Sequence, residues 1–273
     1  MTRTVVHHEA GPRFDDLAER LQAVVEPIAP LVEAVTRLTL PDTVVIRTMT
    51  PRQWLAVHRR QDRRQLRAEA RELDPSRCAR RSAKAETRSL RKARRSVWPG
   101  IGAQVLEPRQ GHPEVAVLPQ ALREAGRLND EPVLHKVVAH ELTHIAQYAT
   151  TDGAAWRLMK TFYADQRGIA DRDFSFLLEG HAYWADRQIT TKLFGAPVPT
   201  AEISPHATLR YRSLAETSHH REVLKRLSTA SDSVAQIIDA AGLDVFNQVW
   251  TTPSLVPKKS ETRTPELWCA RFG

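Results

Sequence analysis

The chain has 273 residues, of which 41% are hydrophobic and 26% charged, with a net charge of +8. This length and composition fit a globular protein of one large domain or two small ones. No stretch reaches the roughly 18 apolar residues of a membrane span or forms a signal peptide, and Cys78 and Cys269 form neither a disulfide framework nor a Cys-x-x-Cys unit. We therefore expect a cytoplasmic protein that is not a membrane partner.

The first half of the chain is predicted to be mostly helical. Apolar residues recur at helical spacing over 13–38, where Pro27 and Pro30 predict a kink or a break. The β-branched run 43–48 predicts a strand or an extended connector. A threonine followed by proline then indicates the start of a helix over 50–73.

A basic segment follows the first residues of that helix. Residues 52–95 hold 16 Lys/Arg and five Asp/Glu, a local charge of +11, whereas the rest of the chain carries −3. The stretch 77–96 has few apolar residues and fits either a helix or a mobile loop. The basicity of the protein is therefore confined to one segment, which could contact a polyanion.

The second half of the chain predicts a small sheet followed by helices. Short strands are expected over 103–106 and 114–118, and the second is expected to be an edge strand that pairs with an extended substrate. Helices are predicted over 119–125, 131–149, 154–165, 174–194, 206–227, 231–241 and 243–250. We predict an α+β, predominantly helical fold in one domain over 1–273. It has a helical, basic portion over 1–97 and a catalytic core over 98–273.

The motif that carries chemistry is His140-Glu141-Leu142-Thr143-His144 in the predicted helix 131–149. Residues four apart lie on one helix face, so both imidazoles can bind one zinc ion. Glu141 is close enough to reach a zinc-bound water without being a ligand, and can act as the catalytic base. The pattern predicts a Zn²⁺-dependent hydrolytic site.

A catalytic zinc usually has three protein ligands, and the third is expected on helix 174–194. Glu179 lies behind an apolar stretch, where an unpaired carboxylate would be costly. No Gly-x-x-His follows His144 at the spacing of the three-histidine class, which also favours glutamate. His181 is the main rival for this position.

Other residues are candidates for supporting roles. Tyr183, four residues after Glu179, can donate a hydrogen bond to a developing oxyanion, although a core aromatic is the more common interpretation. Asp186 can accept the free ring N–H of a ligand histidine, or form a surface salt bridge. Further candidate donors are His206, Tyr211, His219 and His220.

The two motif segments, His140 to His144 and Leu178-Glu-Gly-His-Ala-x-x-x-Asp186, resemble an uncharacterised actinobacterial family of zinc metallopeptidases. Its members carry an H-E-x-T-H helix and a later L-E-G-H segment, and are sometimes labelled as associated with deazaflavin-coenzyme biosynthesis. The stretches 50–54, 241–250 and 264–268 are also similar to the family. Over 74–112 this chain departs from the family, because it has a basic run where the family has a Gly-rich apolar segment. The resemblance implies a zincin-like fold, with zinc held at His140, His144 and Glu179.

These observations favour a zinc metallopeptidase of the glutamate class, acting on a peptide or protein substrate. The alternative is a non-catalytic zinc protein that binds nucleic acid or another polyanion through residues 52–95. That segment matches no specific nucleic-acid motif and has few aromatics for base stacking. A zinc-holding pseudoenzyme is a third interpretation, against which the intact Glu141 argues.

Overall fold

A computed structural model describes residues 2–272. The chain is predominantly helical, with one small mixed sheet, which confirms the α+β class. The strands are β1 (Arg3–His8), β2 (Thr43–Thr48), β3 (Ala103–Arg109) and β4 (His112–Val117). The helices are α1 (Asp15–Thr36), α2 (Pro51–Glu72), α3 (Arg77–Val97), α4 (Pro119–Glu124), α5 (Glu131–Thr150), α6 (Ala154–Met159), α7 (Phe174–Phe194), α8 (Leu209–Ala215), α9 (Ser218–Ala241), α10 (Leu243–Phe246) and α11 (Pro265–Cys269).

The sheet has the order β1-β2-β4-β3. The first three strands in this order are parallel, and β3 runs antiparallel to β4. The prediction that residues 114–118 form an edge strand is therefore wrong, because β4 lies between β2 and β3. The edge beside the motif helix is β3 instead, since α5 contacts both β3 and β4.

Helices cover both faces of the sheet. The main core lies on one face, where α1, α5, α7 and α9 bury apolar side chains against Ile46, Val105 and Val115. A smaller cluster on the other face joins α2 to the sheet through Trp54, Leu106 and neighbouring residues. The motif helix α5 thus lies between the sheet and α7, where α1 also packs against it.

Several element boundaries differ from the prediction. Strand β1 was not predicted, because its place in the sheet comes from pairing with β2 rather than from apolar alternation. Helix α1 is one continuous element through Pro27 and Pro30, stabilised by a fully buried face. The basic stretch of α3 is helical, and not a loop, since Ser76 caps its start and Ala83 is buried.

The C-terminal helices are also divided differently. Helix α6 ends at Met159, short of the predicted 165, and the chain continues in turns. Instead of a helix over 206–227, α8 ends at Ala215 and α9 runs unbroken from Ser218 to Ala241. The reason is local, because the Thr217 hydroxyl accepts a hydrogen bond from the His220 amide and starts a new helix there.

The membrane-spanning potential of the helices and the state of the cysteines were both considered in the sequence. Within residues 2–272, each helix is too short or too polar to cross a bilayer. Cys78 and Cys269 are both free thiols, the first exposed and the second half-buried.

Candidate metal centre

Helices α5 and α7 carry the candidate site, and local sequence fixes both of them. Asp130 caps α5 and Asp173 caps α7, each carboxylate accepting from a backbone N–H in the first turn. Gly180 lets α7 pack closely on α9, because a Cβ at this position would lie 2.7 Å from the Ala230 carbonyl oxygen. Helix α7 also packs along α5.

This packing brings His140, His144 and Glu179 together. A donor atom from each of the three lies within 4.8 Å of the other two. The Glu179 Oε2 atom is 3.4 Å from His140 Nε2 and 3.7 Å from His144 Nε2. The group is largely shielded, with the Glu179 side chain 31% exposed and the His144 side chain 4% exposed. The predicted ligand set therefore converges on one point.

A second layer of hydrogen bonds orients both imidazoles. His140 Nδ1 lies 3.1 Å from the Asp186 Oδ2 atom, and His144 Nδ1 lies 2.8 Å from the Gln147 Oε1 atom. Each Nδ1–H therefore donates to an oxygen, which turns the Nε2 atoms of both imidazoles toward Glu179. Asp186, which is fully buried, occupies the supporting position proposed for it, and the surface salt bridge is excluded.

Glu141 lies in the same buried region as these ligands but is not part of the ligand group. Its side chain is almost fully buried, and its Oε2 atom has no hydrogen-bond partner among the described residues. Burial raises the pKa of the Glu141 carboxyl, while the two motif histidines oppose the shift and the Val105 backbone lowers it slightly. A carboxylate with a raised pKa and a free oxygen is suited to accepting and releasing a proton.

The charges of the group match a bound cation. Burial alone would lower the pKa of His140, but hydrogen bonds with Asp186 and Glu179 outweigh it and raise the pKa to about 10. For Glu179, burial is outweighed in turn by the two histidines, which hold its pKa well below the usual range. Without a metal, the two imidazoles and the carboxylate share a proton. A zinc ion can bind to the same three side chains in place of that proton.

Tyr183 lies against the first histidine, with the two ring centres 4.4 Å apart. Burial and nearby carboxylates raise the pKa of its hydroxyl well above 10, so it stays protonated and can donate. Tyr211 is close enough to contribute to that shift. It lines a cavity of about 450 Å³ together with His220.

The other two candidate donors lie elsewhere. His219 is exposed at the start of α9, and the backbone of His206 packs against Gly126. The catalytic role of Tyr183 stays a prediction.

The rival third ligand, His181, does not join the group. It is fully buried, with ring centres 5.5 Å from Trp184 and 5.4 Å from Phe246. Its Nδ1 atom accepts from Gln147 Nε2 at 3.0 Å. Burial lowers the pKa of His181 to about 3, so it is a neutral core residue that supports the site through Gln147.

Two supporting residues were missed in the sequence. Gln147 follows His144 by three positions, and Lys136 precedes His140 by four, so helical spacing alone placed both beside the motif. The Lys136 ammonium lies 3.7 Å from Asp186 Oδ1 and donates to the Val198 carbonyl oxygen at 2.8 Å. It therefore places a positive charge beside the buried Asp186 carboxylate.

Comparison with known proteins gives one structural relative. No protein-family model and no curated protein matches the sequence. A solved structure from Chloroflexus aurantiacus, described as "a putative hydrolase with a novel fold", superposes with a TM-score of 0.61 over 96% of this chain and 91% of its own. The two chains share a fold. Their sequence identity is 18%, so the likeness extends to the fold alone, and the zincin-like class stays a prediction.

Proposed function

We propose that this protein is a zinc-dependent hydrolase that cleaves peptide bonds. The observation that carries the proposal is the convergence of His140 Nε2, His144 Nε2 and the Glu179 carboxylate, beside the buried Glu141 carboxylate, whose Oε2 atom has no hydrogen-bond partner among the described residues. Two histidines, one glutamate and an adjacent general base are the parts that metal-assisted hydrolysis needs.

Each residue has a role that its surroundings support. Zinc bound to the three ligands would act as a Lewis acid and lower the pKa of a water molecule to about 7. Glu141 would take a proton from the attacking water and return it to the leaving group. The protonated hydroxyl of Tyr183 is available to donate to the oxyanion.

Strand β3 is suited to hold an extended peptide. The Gly102 carbonyl oxygen accepts from the Leu118 amide, and the Val117 carbonyl oxygen accepts from Met49 beyond β2. In an antiparallel ladder, hydrogen-bonded pairs alternate with pairs that are not hydrogen-bonded to each other. The backbone N–H and C=O groups of Ala103 and Val105 therefore point away from β4.

The backbone of Val105 also lies close to the Glu141 carboxylate. A peptide paired with this edge would therefore pass the catalytic base. The description of the structural relative as a hydrolase agrees with this reaction class at a coarse level.

The test combines metal analysis with a peptide library. Purified protein should contain about one zinc per chain, and should cleave members of a mixed library that is read by mass spectrometry. The Glu141→Gln variant should keep its zinc and lose cleavage, because the amide cannot accept a proton. Glu222→Gln, an exposed acid on α9, is the matched control and should retain both.

The outcomes separate the two parts of the proposal. Wild-type protein that binds no zinc would refute the metal centre. Zinc-loaded protein that leaves the library intact but hydrolyses a simple ester, in a Glu141-dependent manner, would keep the hydrolase and refute the peptidase.

A further inference from the structure

Helices α2 and α3 form an antiparallel hairpin that packs on the sheet with one side only. Trp54, His58 and Gln61 of α2 are buried toward β3, where His58 and Trp54 both donate to the Gln104 side chain. On α3, Ala83 and Thr87 are buried. The remaining sides of both helices face solvent.

The exposed side of this hairpin is strongly cationic. Thirteen of the 16 Lys/Arg residues in 52–95 are exposed, and twelve of these form no ion pair with a carboxylate in the described part of the chain. They are Arg52, Arg59, Arg60, Arg63, Arg67 and Arg71 on α2, and Arg77, Arg81, Lys84, Arg88, Lys92 and Arg95 on α3. We call this set the basic face.

The acidic residues of the hairpin do not neutralise the basic face. Asp62 is buried and paired with Arg94, and Asp74 is paired with Arg80. Glu69 and Glu72 both lie against Arg167, which is outside the hairpin. Four of the five carboxylates in the segment are thus engaged by other cations.

Helical spacing aligns the cations of each helix in a row. The α3 row advances by three or four residues from Arg77 to Arg95, so it forms one stripe about 27 Å long. The α2 row lies on the helix face opposite Trp54, His58 and Gln61. The α3 row lies about 120° around its helix from Ala83 and Thr87. The cations of both rows are exposed to solvent.

The character of the basic face favours one class of partner. Trp54 and Trp98, the tryptophans within and directly after the hairpin, are 2% and 7% exposed, so they are not available to stack on unpaired bases. The exposed large hydrophobic side chains of the described chain all lie outside residues 51–97, so the face has nothing to insert into a bilayer. A duplex carries one charge per about 1.7 Å of axis, or about 16 phosphates over the length of the stripe.

We propose that the basic face of the α2–α3 hairpin binds the phosphate backbone of double-stranded nucleic acid without sequence preference. Ten of the twelve cations are arginines, whose planar guanidinium can bind a phosphate through two hydrogen bonds. Small residues between the α3 cations, among them Ser82, Ser89 and Ala93, let a phosphate backbone approach closely. This binding does not depend on the metal centre, and the proposed hydrolysis does not depend on nucleic-acid binding.

The test is fluorescence anisotropy with a labelled 20-base-pair duplex, on metal-loaded and metal-free protein, from about 50 to 200 mM salt. The variant Arg81→Glu/Arg88→Glu/Lys92→Glu reverses three charges on the basic face. Lys192→Glu/Lys225→Glu/Lys259→Glu makes the same charge change at exposed positions outside the hairpin and is the matched control. Circular dichroism and zinc content check that both variants are folded.

The expected result is salt-dependent duplex binding with equal affinity for two unrelated sequences. The α3 variant should bind more than about tenfold more weakly, with its salt slope reduced by about 2 to 3, because each lost phosphate contact removes about 0.9 from the slope. The control should stay within about threefold of wild type.

Three results would overturn the proposal. The first is absence of duplex binding at the lowest salt. The second is an equal loss of affinity in the control variant, since the net charge of the protein would then explain binding without the basic face. The third is tighter binding to a single strand of the same length, or to phosphatidylserine vesicles, than to the duplex.

Discussion

Substitution of Gly180 by alanine tests how closely the metal centre depends on packing between α7 and α9. In most helices this change stabilises the protein by about 1 kcal/mol, because glycine loses more backbone entropy on folding. Here the new Cβ would lie 2.7 Å from the Ala230 oxygen, 2.9 Å from its carbonyl carbon and 3.0 Å from its Cβ. We therefore predict that the sign of the effect is reversed.

The size of the effect follows from these distances. Ordinary van der Waals contact begins at 3.4 Å, so one helix must move by about 0.7 Å relative to the other. The obstructing atoms belong to backbone, which places the overpacking cost near 3 kcal/mol and the net loss near 2 kcal/mol. Glu179 precedes the substituted residue directly, and a metal site tolerates displacements of only about 0.2 Å. Zinc affinity should therefore fall with stability.

The assays are urea and thermal denaturation of metal-free protein, and zinc competition against a chromophoric chelator. The midpoint of thermal unfolding should drop by about 4 °C or more. Adding Ala230→Gly should rescue little, because it removes the Cβ contact and leaves the closer carbonyl. A Gly180→Ala variant as stable as wild type, or one that is destabilised but binds zinc normally, would refute the reasoning.

The remaining predictions concern single side chains. Glu179→Ala should abolish tight zinc binding, whereas His181→Ala should weaken it by less than about tenfold, and titration with zinc distinguishes them. Asp186→Asn should reduce zinc affinity by about 10- to 100-fold, and an unchanged affinity would remove its orienting role. Burial, aided by neighbouring cations, lowers the pKa of His58 to about 3. His58 should therefore make metal-free protein lose stability as pH falls from 6.5 toward 3, contributing up to about 1.4 kcal/mol per unit. His58→Gln should flatten this decline, whereas exposed His219→Gln should leave it unchanged.

The part of the site that lies within one helix could be predicted from the sequence. The spacing of His140 and His144 is set by the helical repeat, and the start of α5 by its capping residue and apolar face. Glu179 was predicted as third ligand because a carboxylate among apolar residues needs a partner, and the structure brings it to both histidines. Gln147 could have been found by the same spacing rule.

What the sequence left open depends on contacts between distant segments. That Glu179 lies beside the two histidines while His181 is buried in the core depends on how α7 packs against α5 and α9. The order of the sheet, with β3 rather than β4 at the edge, depends on long-range backbone pairing that side-chain patterns do not encode.

The basic segment shows the same division. Composition determined its charge, and helical spacing determined that its cations align. Only the tertiary structure decided that Trp54 and Trp98 are buried and that the cations of both rows are exposed. The physical reason is that local interactions along one helix fix what lies on a given face, whereas burial against the rest of the chain fixes where that face points.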